Sequence, residues 1–273
     1  MGYGTIRLIV SDIDGTMIPE GTSYLKEEYF DVTRALKAKG VRFAAASGRG
    51  YESMAHLLSP VLDDIFCLAN NGGTILTGGR ELATRVLEPE HTAEVMDAMD
   101  RMDGWNMRLV HTSDGIYTDC PDPALIHENE QRYDMQLRPV TSDVMRSLSA
   151  REVSMLVTSP INQENERLRA ILTEAAETVV AGSRWIDIIP RGVSKGWGAQ
   201  KLMQLLQIDA SECISCGDNF NDVPMFRVTG DSYCAAEAAP DVRAQAAHIF
   251  GPLSEDPVLQ LLKRVLEDVT SLV

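Results

Sequence analysis

The sequence predicts an α/β fold: a doubly wound parallel sheet interrupted by an inserted α+β domain. Three observations point there. Apolar runs without alternation, such as Leu8-Ile9-Val10, end in glycine- and acid-containing turns, as strands buried on both faces do. Segments of helical periodicity separate those runs, giving a β-α-β-α-β rhythm. That rhythm stops near Gly79 and resumes near Val193, and the roughly one hundred residues between exceed what a crossover needs.

Residues 5–10 read as the first strand. Leu25, Tyr29, Val32 and Leu36 then recur at helical spacing over 23–39, with Gly40 as a stop. Residues 41–46 form the next strand, 51–58 a short helix and 65–69 a third strand. Asn70-Asn71-Gly72-Gly73 and Thr77-Gly78-Gly79 punctuate short strand-like pieces, as hairpins do. Within the insertion the pattern predicts a helix over 91–102 and strands over 107–111 and 116–119, around the turn Thr112-Ser113-Asp114-Gly115. A strand over 153–158, a helix over 162–177 and a strand over 184–189 follow. Met96, Met99, Met102 and Trp105 have the spacing of packing residues. After Lys195 the first rhythm returns: a helix carrying Lys201, Leu202, Leu205 and Leu206, a strand over 212–216, a short helix over 222–228, a strand over 232–235 and a final helix over 259–269. The expected domains are therefore a discontinuous core, 1–82 with 187–273, and an insert, 83–186.

The 273 residues are 44% hydrophobic and 24% charged, the balance of an ordinary globular chain. No apolar run is long enough to span a bilayer, and no basic start precedes an apolar signal segment. A formal charge of −15 argues against a nucleic-acid backbone as partner. The expectation is a cytoplasmic protein without nucleic-acid or membrane partners, monomer or homodimer. Five cysteines include a C-x-x-C at Cys213 and Cys216, but it lies within a strand pattern and has no second pair, so the cysteines read as structural.

Chemistry concentrates at four places. Asp12 and Asp14 follow the first strand with Gly15 and Thr16; Ser47-Gly48-Arg49 follow the second; Lys195 opens a helix; Gly217-Asp218-Asn219-Phe220-Asn221-Asp222 follow a later strand. Ionised carboxylates repel and desolvate badly, so a fold gathers them mainly when a cation or a reaction uses them. In an open α/β sheet, groups at the carboxyl ends of strands meet at one edge. Carboxylates for Mg²⁺, a hydroxyl, and cations for an anion suit phosphoryl chemistry.

These four segments, in this order, resemble the haloacid dehalogenase superfamily, and within it the Cof-type phosphatases with a large α+β cap. Asn71-Gly72-Gly73 looks like the family's N-G segment, and residues 236–246 like its late helix. Ser11 stands where the family often has an apolar residue, and its frequent E-D-G-V appears as Glu255-Asp256-Pro257-Val258, where Pro cannot take the φ open to Gly. The resemblance implies a Rossmann-like core and a Mg²⁺-dependent phosphatase acting on a small phosphorylated metabolite, chiefly sugar phosphates, through an aspartyl-phosphate. A phosphomutase and a non-catalytic phosphometabolite-binding protein are the alternatives. It implies Asp12 as nucleophile, Asp14 as acid and base, and Lys195 as the third catalytic group. Metal ligation would fall to Asp12, Asp14 through its carbonyl, Asp218, Asn221 and Asp222, the last two also readable as outer-shell or helix-capping groups. Phosphate contacts would come from Gly15, Thr16, Ser47, Gly48, Arg49, Lys195 and Asn221, with a surface salt bridge as the other reading of Arg49.

Overall fold

A computed structural model describes residues 3–102, 104–161, 164–172, 176–181 and 184–269. In chain order the first segment contains β1 (Leu8–Asp12), α1 (Glu27–Ala38), β2 (Arg42–Ala46), α2 (Tyr51–Leu57), β3 (Phe66–Ala69), β4 (Thr74–Thr77) and β5 (Arg80–Thr84). Next come α3 (Pro89–Asp100), β6 (Met107–Thr112), β7 (Gly115–Thr118), α4 (Pro123–Tyr133), β8 (Leu137–Pro139) and α5 (Ser142–Ser147). They are followed by β9 (Val153–Ser159), α6 (Glu164–Ile171), β10 (Ala176–Ala181) and β11 (Trp185–Pro190). The chain ends with α7 (Lys195–Leu206), β12 (Cys213–Gly217), α8 (Val223–Val228), β13 (Asp231–Cys234), α9 (Pro240–Arg243), β14 (His248–Ile249) and α10 (Pro257–Asp268).

Two compact units result: Met1–Ala83 with Ser194–Val273, and Thr84–Val193. The sequence places the return to the core at residue 187. The structure places it at 194, because β11 is hydrogen-bonded between β10 and β9 of the insert.

The core unit is built on an eight-stranded sheet in the order β14-β13-β12-β1-β2-β3-β4-β5. Pairing is parallel from β14 to β3, and β4 runs antiparallel to β3. Pleating sends alternate residues of β1 to opposite faces. Ile9 joins a cluster with Tyr29 and Leu36 of α1 and Leu261, Leu262 and Val265 of α10, whereas Leu8 and Val10 join Ala199, Leu202 and Met203 of α7. Helices thus cover both faces, which is why the strand reads as an unbroken apolar run. The chain leaves β1 toward β2 on one side and returns as β12 on the other, so the switch point of the sheet lies at β1. There Asp12 is in register with Ala46, and Ser11 with Cys216. The loops after β1, β2 and β12 therefore emerge side by side, as ligand-binding loops do in open α/β sheets.

The inserted unit has a six-stranded sheet in the order β10-β11-β9-β6-β7-β8, antiparallel except for the β7–β8 pair. Met96 and Met99 of α3, Met102, Met145 of α5 and Leu168 of α6 pack on one face with Val110 and Leu156, and Trp105 is half-buried against them. Ile126 of α4 packs on the other with Leu109, Met155 and Ile189.

Several boundaries differ from expectation. Helix α1 starts at Glu27, after an extended Lys26, not at 23. The helix expected over 162–177 is α6 in its described part, but 176 and 177 begin β10; 162–163 and 173–175 lie outside the described residues. The late helix expected over 236–246 is a single turn, Pro240–Arg243. Near the C-terminus Asp256 takes the left-handed conformation (φ +52°), which lets Pro257 open α10 at a position where a missing N–H costs nothing. Ser11 is fully buried and donates its hydroxyl to the Asp12 carbonyl at 2.9 Å. All five cysteines are buried and free, and burial raises the Cys213 and Cys216 thiols, against redox or metal chemistry there. Among the described residues, no helix is long and apolar enough to cross a membrane.

Candidate active site

Asp12 ends β1, Asp218 follows β12, and Asp222 closes the loop after it; ligand oxygens of all three lie within 4.8 Å of one another. Lys195, the first residue of α7, reaches into this cluster. The helix start is fixed by Ser194, whose hydroxyl accepts the Trp197 N–H at 3.0 Å. The Lys195 ammonium donates to Asp12 Oδ1 and, at 2.7 Å, to Asp222 Oδ1. Asp12, Lys195 and Asp222 are 4%, 1% and 0% exposed, so these charges have little water to solvate them and are held by one another.

Asp222 is fully engaged. Its Oδ2 accepts the backbone N–H of Asp218 at 2.9 Å and of Asn219 at 3.0 Å. It organises the loop and the lysine, and it is one of the three carboxylates close enough together to share a cation. Thr16 donates to Asp218 Oδ1 at 2.8 Å and lies 3.4 Å from Asp12 Oδ2, linking the two carboxylates. The hydroxyl thus ties the β1 loop to the loop after β12. The Gly15 N–H donates to the Ile18 carbonyl at 2.7 Å. A side chain is excluded there because φ is +85° and a Cβ would lie 2.4 Å from Asp218 Oδ2.

The electrostatics follow from burial. Desolvation raises the Asp12 carboxyl well above the usual range; the Asp222 and Asp218 charges add to this and Lys195 opposes it. Asp218 is pushed up to about 6, by burial first and Asp222 next. For Lys195 burial acts downward, but the Asp12 and Asp222 carboxylates outweigh it and the ammonium is held above its ordinary range. Three carboxylates against one ammonium leave an excess of buried negative charge. A hard divalent cation with oxygen ligands fits that donor set. The Asp12, Asp218 and Asp222 carboxylates are the groups within reach of it.

Ser47 is buried at the end of β2, its N–H on the Leu68 carbonyl and its hydroxyl accepting the Arg49 N–H at 3.1 Å; Gly48 is half-buried in the same loop. The Arg49 side chain forms the salt bridge that one sequence reading gave it, but with Asp14 and away from the surface. It is buried, not a surface ion pair, and it grips Asp14 with two bonds, Nε to Oδ2 at 2.8 Å and Nη2 to Oδ1 at 2.7 Å. Its other donors reach the Thr22 carbonyl at 2.8 Å and Ser53 Oγ at 3.2 Å. Arg49 therefore orients Asp14. Asn221 is half-buried, with its amide nitrogen donating to Asn71 Oδ1 at 3.1 Å. Sequence reasoning placed Asn71 in an N-G segment but gave it no role in the site, although a repeated Asn before Gly signals left-handed backbone.

The sequence matches the haloacid dehalogenase-like hydrolase family over residues 9–262. The chain belongs to that family. It is an enzyme, a phosphatase of the haloacid dehalogenase superfamily. The chain is 26% identical over 263 residues to the 5-amino-6-(5-phospho-D-ribitylamino)uracil phosphatase of Escherichia coli (strain K12), covering 96% of this chain and 97% of that protein. It is 24% identical over 256 residues to the HMP-PP phosphatase of Escherichia coli O6:H1, covering 89% of each. Its fold is that of a solved sugar phosphatase of subclass IIB, with a TM-score of 0.80 over 94% of this chain and 98% of the other at 20% identity.

Proposed function

We propose that this enzyme is a Mg²⁺-dependent phosphatase that hydrolyses a small phosphorylated metabolite, a sugar or sugar-alcohol phosphate, through an aspartyl-phosphate on Asp12. The observation that carries the reading is the Lys195 ammonium lying between Asp12 and Asp222 in a buried acidic cluster at the sheet's switch point. The full-length likeness to two phosphatases of phosphorylated small molecules supports the substrate class. Buried, reduced cysteines suit a cytoplasmic protein.

Asp12 Oδ attacks phosphorus, and the bond to the ester oxygen breaks. Asp14 supplies the proton that this oxygen takes up, then removes a proton from the water that cleaves the aspartyl-phosphate, returning Asp12 and releasing phosphate. In the structure Asp14 is held by Arg49, so delivery of the proton requires its carboxyl to exchange the guanidinium for the substrate oxygen. Lys195 and the Ser47 loop neutralise and position the phosphoryl oxygens, the main work in phosphoryl transfer. When bound, Mg²⁺ would be held by Asp12, Asp218 and the Asp14 carbonyl, with Asn221 in support, and would supply charge neutralisation at the phosphate. The test is phosphate release from a panel of sugar phosphates, nucleotides and small phosphoesters, with Mg²⁺ and with EDTA. Release should need Mg²⁺, and Asp12→Asn should lower it by at least ~10³-fold while the protein stays folded. Activity that survives in Asp12→Asn, or in EDTA, overturns the proposal.

A further inference from the structure

Asn70, Asn71 and Gly72 form a turn with φ of +53°, +54° and +85° in succession. Left-handed backbone is easy for glycine and strained for other residues, even asparagine, so it persists where the surroundings impose it. Here they do. The Asn71 N–H donates to the Ser47 carbonyl at 2.9 Å, and the Asn70 N–H to the Arg49 carbonyl at 3.0 Å. Gly72 lies so close to the start of α7 that a Cβ would meet the Ser194 carbonyl oxygen at 2.5 Å and the Lys195 Cα at 2.9 Å. The turn is thus wedged between the Ser47 loop and the helix that carries Lys195.

A turn needed only to reverse the chain from β3 to β4 would be served better by glycine at position 71. Asparagine is there instead, 1% exposed, with its side-chain oxygen on Asn221 Nδ2 at 3.1 Å. An amide presents a donor end and an acceptor end, and a cation tolerates only the acceptor. We propose that Asn71 is a positioning residue for the metal site: by accepting the Asn221 N–H it fixes the flip of that amide and leaves its oxygen as the end available to the cation or its water. This rests on the metal-dependent reading above, but assigns to a residue outside the four motifs the orientation of one inside them.

The experiment is calorimetric titration of Mg²⁺ into wild type, Asn71→Gly, Asn71→Asp, Asn221→Ala and the Asn71→Gly/Asn221→Ala double variant, with melting temperatures in EDTA beside it. Asn71→Gly keeps the left-handed backbone and deletes only the side chain. It should weaken Mg²⁺ about tenfold, as loss of an outer-shell partner does, with an unchanged melting temperature in EDTA. Asn71→Asp keeps the acceptor and should bind at least as tightly as wild type. In the Asn221→Ala background, Asn71→Gly should have no further effect, because it acts through that amide. Wild-type affinity in Asn71→Gly, an effect that adds to that of Asn221→Ala, or a lower melting temperature in EDTA overturns the proposal. No Mg²⁺ binding by wild type overturns the metal-dependent reading, and this one with it.

Discussion

Asp122 and Asp222 stand at the same place in two helices and do different things. Asp122 is the N-cap of α4 in the inserted unit: exposed, its Oδ1 accepts the N–H of Ala124 at 2.9 Å and of Leu125 at 3.4 Å. Asp222 is the N-cap of α8 in the core, fully buried, and its side chain bonds none of that helix's N–H groups. It turns back to Lys195 and to the N–H groups of Asp218 and Asn219. Both precede a proline at the helix start, and aspartate is a favoured residue at that position. What separates them is the sheet behind each. In the core, parallel strands bring β12 beside β1, so the carboxylate meets a lysine and two further acids. The same residue type is a local device in one unit and part of a long-range charge cluster in the other.

The largest test of that difference is to delete the core carboxylate. Asp222→Ala leaves Lys195 with one partner and two half-buried N–H groups without their acceptor. Breaking a buried pair in this way costs roughly 3–5 kcal/mol, and relief of the Asp12–Asp222 repulsion offsets part of it, so about 3 kcal/mol is expected. Urea denaturation in EDTA measures it. A loss no greater than that of Asp122→Ala would erase the distinction.

Acidification should move the two units in opposite directions. Asp218 titrates near 6 in the folded core and near 3.8 as its unperturbed reference. The folded state therefore holds more protons between those values, and the metal-free core loses stability as pH rises through them. His111, buried on β6 of the insert, is pushed down to about 4 from 6.5 by burial. There the unfolded state holds more protons, so stability is lost as pH falls from 6.5 toward 4, by about 2 kcal/mol at pH 5. Trp197 reports on the core, and Trp105 and Trp185 on the insert. In EDTA, single-tryptophan variants should show the core transition moving to higher urea and the insert transition to lower urea between pH 7 and pH 5. His111→Phe should remove the insert's dependence, and two transitions that move together would break the comparison.

The same contrast explains what was legible in the sequence. Leu8 to Val10 and residues 213–216 announce buried strands because both faces are covered, and acids directly after them must lie at the sheet's edge. The neighbourhood of Asp12, Asp218 and Lys195 was therefore readable. Which donor each group would use was not. Arg49 follows the Ser47 loop by two residues, and nothing in that spacing says that its guanidinium turns to Asp14 and Thr22. In the insert α4 escaped notice because its sequence is largely polar and buries only Ile126 and Asn129, leaving no apolar period to detect. Strand β10 went unread, and its first two residues were taken into the helix before it, because its edge position leaves Val180 exposed, without the clear alternation of a half-buried strand.

Asp122 supplies the smallest effect and the sharpest control. Asp122→Ala removes an acceptor from two N–H groups that water can also reach, so it should cost about 1 kcal/mol. Asp122→Asn retains an acceptor and should recover most of that loss, because an exposed cap works chiefly through its hydrogen bond. The corresponding Asp222→Asn should recover little. Its amide nitrogen must face either Lys195 or the N–H groups of Asp218 and Asn219, and all of these are donors. Urea midpoints for the four variants decide it: the insert's carboxylate is replaceable by any acceptor, whereas the core's must bring acceptors at both ends and a charge. Equal recovery by asparagine at both positions would mean that burial at Asp222 adds nothing to an ordinary cap.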